Sequence, residues 1–225
     1  MIVDKLRHWA RGHTREGRYS PVGVAFHWLV ASLILFQLWW GWRTSRLPVG
    51  YEKLEAYEVH SQVGLAIFVL TLLRMVWRAM VPGPINDADK PGWQSRAAHL
   101  THYALYVALI GLPLSGWAML SATAAEQPLS VAGVAPWPHL PFSELSPAQR
   151  WAIEAWAEQI HFGFIVFILV LLPLHIGATL KHEIVNRDDV LSGMLPGIRW
   201  LERQLARAPK RIARALRPRR ASDAG

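Results

Sequence analysis

An all-α, integral membrane four-helix bundle with both termini in the cytoplasm is the fold this sequence predicts. Three observations carry that reading. The 225 residues are 52% hydrophobic, and the apolar ones gather into four blocks. These run roughly over 24–42, 59–80, 100–120 and 160–180, each near the ~20 residues a bilayer crossing needs. Lys and Arg fall 20 to 4 on alternate sides of these blocks, the asymmetry that orients membrane helices. Four crossings then leave no room for a large soluble domain.

The first element is a basic arm, residues 1–21, with Lys5, Arg7, Arg11, Arg15 and Arg18, closing on Tyr19-Ser20-Pro21. The apolar stretch from Val22 to Trp42 is too long for a signal-peptide core and ends in WWGWR rather than a small-residue cleavage motif. It reads as a retained anchor. Span two carries Arg74 and Arg78 only in its last turns, where long cationic side chains reach the headgroups. A Pro/Gly-rich connection from Pro82 to Gly92 follows, with Asn86, Asp87 and Asp89, as a turn requires. Trp39, Trp40, Trp42, Trp77 and Trp117 lie at span ends, the interfacial positions tryptophan prefers.

The linker from Ala122 to Ala157 begins with Pro128, Pro136, Pro138 and Pro141, which forbid a continuous helix. Ser146-Pro147-Ala148-Gln149 then reads as an N-cap with proline in the first turn, starting a helix that runs on into span four. Beyond Leu195, apolar and basic residues alternate. This tail, 194–225, is expected either as an amphipathic helix on the anionic leaflet or as a disordered polybasic end. The bundle itself is assigned to 22–193.

The arm, the loop counted from Arg74 and the tail from Lys181 hold five, four and eleven cations. Only Arg43, Arg46, Lys53 and Arg150 lie opposite. The net charge of +8 is therefore the cytoplasmic face of a multi-pass membrane protein, in contact with lipid. No motif supports nucleic-acid binding. With no cysteine, c-type haem attachment, cysteine-held iron–sulfur clusters and disulfides are all excluded. Neither GxGxxG nor a Walker sequence is present.

The chemistry concentrates in histidine. His161 and His175 are 14 residues apart in one span, about 21 Å of rise and four turns, so both leave one helix face. With the amino terminus inside, His27 lies near the inner surface and His60 near the outer. Two level pairs result, His60 with His161 and His27 with His175. An imidazole on either side fills both axial positions of a haem iron, which favours electron transfer over oxygen binding. The expected cofactors are two b-type haems per chain, their irons held by His27, His60, His161 and His175.

Gly64, Gly163 and Gly177 beside these residues could admit a porphyrin close to the backbone. A lone membrane histidine often just bonds a neighbouring helix, and Zn²⁺ would need its ligands at one depth. Two depths suit two haems better than either. His99 and His102, one turn apart, could each compete with His27 for His175. Arg74 is 14 residues after His60, hence on its face at the inner level. There it could pair with a haem propionate or an anionic quinone intermediate, or merely snorkel. His182, two turns beyond His175, is placed for proton exchange or is an ordinary interfacial residue.

Four segments together resemble the bacterial cytochrome b561 family: YSPVGVAFHWL, YEVHSQVGL with LTLLRMVWR, AAHLTHYALYVALIGLPLSGW, and QIHFGFIVFILVLLPLHIGATLKH. The resemblance covers about 19–197. It implies haem ligation by His27, His60, His161 and His175, with His102, His182 and Arg74 near the inner haem and the quinone. The short form without soluble domains looks most like the superoxide oxidase type, an oxidoreductase passing an electron from superoxide to ubiquinone.

Outer charge bears on the donor. Arg43, Arg46 and Lys53 are balanced by Glu52, Glu55 and Glu58, while Glu126, Glu144, Glu154 and Glu158 face Arg150 alone. Such a surface suits a positively charged soluble cytochrome at least as well as it suits an anion. A third expectation is an anchor subunit serving a partner redox enzyme, docked through the basic tail and the outer linker. A haem-free proton or ion transporter would need the discontinuous-helix glycines and internal repeat that are absent here.

Overall fold

The computed structural model describes residues 4–5, 8–9, 19–81, 92–123, 128–186 and 194. Most of the basic arm, the 82–91 connection and nearly all of the tail, with the expectations attached to them, lie outside the described residues. Four long helices account for most of the rest: α1 (Pro21–Arg46), α2 (Tyr51–Met80), α3 (Gly92–Ala122) and α4 (Pro147–Lys181), the last running into a π turn at His182–Asn186. All four are long and apolar enough to cross a membrane. They outrun the apolar blocks because more polar turns continue each helix beyond them.

The N-cap expected at Ser146 forms, and Ser20 caps α1 as well. Ser20 Oγ accepts the Gly23 N–H at 3.1 Å, with Pro21 in the first turn. At α4, Gln149 N–H donates to Ser146 Oγ at 3.3 Å and Ser146 N–H donates to Gln149 Oε1 at 2.9 Å. That reciprocal pair is a capping box. Ser20 has a second task, because Trp77 Nε1–H from the far end of α2 donates to the same hydroxyl at 3.0 Å. Ser20→Ala is therefore expected to cost about 1 kcal/mol for the cap alone, and more for the unpaired indole. A lowered thermal midpoint in detergent would register it, and Ser20→Thr should restore it.

The chain divides into two compact units, Met1–Gly177 and Ala178–Gly225. In the first, α1 lies close along α2 and α2 along α3. Close backbone approaches between α4 and any other helix are sparse among the described residues. A core layer of Val30, Ala108, Leu109 and Ile168, flanked by Ile34, Leu70, Leu105 and Phe164, fills the middle of the bundle. Only 6% of the apolar window of α1 and of α4 is buried, and 17% of that of α2 and α3. So large an exposed apolar surface is that of a protein solvated by lipid. In the second unit the described residues are the last turn of α4, the π turn and Met194.

One element departs from the all-helical expectation. The proline-bearing linker contains a short antiparallel hairpin, β1 (Leu129–Val131) and β2 (Ala135–Trp137). Its turn needs positive φ at Ala132 (52°) and Gly133 (71°) and closes through Val134 N–H to the Val131 carbonyl at 3.0 Å. Such turns match the strand twist, and Pro136 is tolerated because the strand is an edge. The hairpin folds back on the bundle. Ala132 N–H donates to the Gln62 carbonyl at 3.1 Å, and Trp137 stands edge-on to Phe68 and to Trp117. Trp117 Nε1–H in turn donates to the Pro138 carbonyl at 2.8 Å.

Candidate functional site

The interior of the bundle is polar at two levels. On α4 His161 and His175 project four turns apart, about 21 Å in rise. α2 brings His60 opposite His161, ring centroids 6.2 Å apart, and α1 brings His27 opposite His175, centroids 6.3 Å apart. The core layer around Val30, Ala108 and Ile168 lies between the two levels along the sequence of every helix that contributes to it.

These separations have a chemical meaning. An imidazole nitrogen binds a first-row metal at about 2 Å, and its ring centre lies ~1 Å further back, so two imidazoles gripping one metal from opposite sides place their centres roughly 6 Å apart. Both pairs meet that span. Among the described residues no three His, Asp or Glu side chains converge as a bare metal ion requires. A pair suits a metal whose remaining ligands come from a macrocycle. The donor sets thus fit b-type haem.

The rings are held differently. His161 Nδ1–H donates to the Leu112 carbonyl at 3.0 Å, with Ser115 Oγ also 3.0 Å away. That network assigns the tautomer and leaves Nε2 as the coordinating nitrogen. His60 packs on Gly41, where a Cβ would stand 3.0 Å from ring Cε1. Its Nδ1 is buried with no hydrogen-bond partner, as is that of His27. From α1, Gln37 Nε2–H donates to the His60 carbonyl, while Gln37 Oε1 is buried and unpartnered.

The other expected residues sort as follows. His102 stands 5.5 Å from His175 in a T-shaped contact, inside the span two imidazoles need across a shared metal. His99 is exposed, its Nδ1 2.8 Å from the Ser95 carbonyl of its own helix. The guanidinium of Arg74 lies 5.8 Å over the Tyr106 ring, and its charge acts on His27, His102 and His175. His182 opens the π turn, but its side chain lies outside the described residues. Of the three glycines expected to admit a porphyrin, Gly163 and Gly177 face open space, whereas Gly64 faces the Gln37 amide, 3.3 Å from where its Cβ would be.

Leu112, Ser115, Gly41 and Gln37 were not singled out from sequence. A carboxamide inside an apolar span is costly enough that Gln37 carried a readable signal. Gly41, one turn after it, did not.

Fold and site together define a multi-pass helical membrane protein for electron transfer. Residues 18–197 match the family model described as prokaryotic cytochrome b561. The chain belongs to that family, whose members carry b-type haem. It is 32% identical to cytochrome b561 homolog 2 of Escherichia coli (strain K12) over 181 residues, 79% of this chain and 91% of that protein. It is 28% identical to cytochrome b561 homolog 1 of the same organism over 184 residues, 80% and 97% of the two chains. A protein of Yersinia pestis named a probable superoxide oxidase is 25% identical over 186 residues, 80% and 96% of the two chains.

Proposed function

We propose that this protein is a dihaem cytochrome of the bacterial inner membrane, carrying electrons between a donor at the outer surface and ubiquinone near the inner. His60 with His161 would hold one haem and His27 with His175 the other, two per chain. The matched 6.2 and 6.3 Å imidazole separations at two levels are the observation that carries this reading. Haem bound there would supply one-electron transfer. The chain's own part would be to hold each haem through its pair of imidazoles, to fix the His161 tautomer through Leu112 and Ser115, and to keep water out of the layer between levels. Arg74 offers a fixed cation beside His27, His102 and His175, suited to a propionate or a reduced quinone; the family resemblance places His182 in the same region, where it would serve proton exchange. The proposed orientation, both termini cytoplasmic, follows the Lys/Arg asymmetry, with the bundle at 22–193 between the basic arm and tail.

Purified protein is expected to be red, with a six-coordinate b-haem spectrum at two haems per chain. Superoxide is the donor favoured by the similarity to the Yersinia pestis protein. Stopped-flow mixing with superoxide and a short-chain ubiquinone should consume superoxide faster than it dismutates unaided, with quinone reduced in step. A rate no greater than spontaneous dismutation would eliminate superoxide as donor.

A second reading, a soluble or membrane-bound redox protein as donor, is favoured by the pairing of the outer cations. Arg43 is tied to Glu52 at 3.0 Å, Arg46 lies over the Trp42 ring and Lys53 donates to the Leu47 carbonyl. Glu55, Glu144 and Glu158 are exposed, which leaves a surface suited to a cationic protein. Reduction by a basic soluble cytochrome that slows as salt rises would support it.

A further inference from the structure

Gln37 sits in the apolar run LILFQLWWGW of α1, at the level of His60. Its carboxamide crosses to α2 and donates Nε2–H to the His60 carbonyl. Gly41, one turn on along the same face, lets α1 approach closely enough to touch the His60 ring, and Gly64 on α2 makes room for the amide. At the level of His60, the interface between α1 and α2 is built around this residue. Two buried polar atoms are left without partners there: Gln37 Oε1, which can only accept, and His60 Nδ1, which can donate. Buried donors and acceptors are rarely left unpaired, because each loses its hydration without return. At the partner ring the corresponding proton is already held, since His161 Nδ1–H donates to the Leu112 carbonyl. His60 Nδ1 has no such carbonyl, and the unpartnered acceptor Gln37 Oε1 belongs to the carboxamide already bonded to the backbone of His60.

We propose that Gln37 is the positioning residue for His60, its carbonyl oxygen accepting from Nδ1–H directly after a small side-chain rotation or through one bridging water. The carboxamide thereby selects the tautomer that presents Nε2 to the iron, and it makes the imidazole a stronger electron donor. The proposal rests on the reading of His60 as a haem ligand. A stronger imidazole donor favours the oxidised metal, so losing the acceptor should raise the midpoint potential of that haem.

The test is a redox titration with low-spin EPR on the full-length protein, using Gln37→Leu, Gln37→Glu and Gly64→Ala. The transition missing from His161→Ala identifies the haem at the His60 level. Gln37→Leu is expected to keep two haems per chain and to raise that potential alone, with altered g-values for the same haem. Gln37→Glu, which retains an acceptor, should return the potential to the wild-type value or below. Gly64→Ala, which crowds the amide, should shift it the same way as leucine but less. If Gln37→Leu cannot be loaded with haem and Gln37→Glu can, positioning is again supported. Unchanged potentials and g-values in Gln37→Leu, or equal shifts at both haems, would overturn it. Wild-type protein with no bis-imidazole haem would instead sink the parent reading, so the two failures are distinguishable.

Discussion

On the proposed dihaem reading, replacing His161 by alanine is expected to cut the haem content from two per chain to one and to abolish electron passage from the outer face to quinone. The remaining haem should keep the spectrum of an undisturbed six-coordinate pair, because His27 and His175 lie about 21 Å further along the bundle, beyond the packed layer of Val30, Ala108 and Ile168. His175→Ala should do the converse and spare the His60–His161 haem. The double variant should be colourless yet still inserted, since each helix crosses the membrane on its own apolar length. Haem stoichiometry per chain, with EPR of the oxidised protein, makes the measurement. The same assay separates His27 from His102. On the proposed reading His27→Ala removes the second haem, whereas His102→Ala retains it with a shifted potential, the 5.5 Å contact being too short to span a shared metal. A lost haem in His102→Ala with both retained in His27→Ala would reverse that assignment.

Gly41→Val is the second large effect. A Cβ at that position would already stand 3.0 Å from His60 Cε1, and the ring's Nδ1 would be 3.4 Å away. Real Cβ contacts seldom come closer, and valine adds two further carbons whose single favoured helical rotamer leaves little freedom to turn aside. Either the imidazole leaves its position opposite His161 or α1 moves away from α2. Separation of the helices would also break the hydrogen bonds from Gln37 to the His60 carbonyl and from Trp40 Nε1–H to the Ala56 carbonyl at 2.9 Å. The expected outcome is therefore loss of the same haem that His161→Ala loses, with the other intact. Equal haem content in Gly41→Val and wild type would show that His60 is not held as described.

How much of this was legible beforehand differs by residue. Ser146 announced its helix, because caps and proline act within one turn of chain. His161 and His175 were bound to share a face, because helical periodicity alone decides that over 14 residues. The hairpin was not legible. Its strands are three residues each, too short for any alternation to appear, and the linker's prolines said only that it was not helix. Gln37 carried a warning in its cost, but not the identity of its partner 23 residues away.

From the sequence by itself came the number of spans, the charge asymmetry and the spacing that sets two histidines on one face of α4, all properties of one helix at a time in a layered solvent. Only the tertiary structure decided how each helix is rotated about its axis. That rotation turns His27 opposite His175 with His102 beside them, seats His60 against Gly41, and sets Leu112 to hold His161. Azimuth depends on side chains meeting across an interface, which no periodicity within a single chain segment specifies.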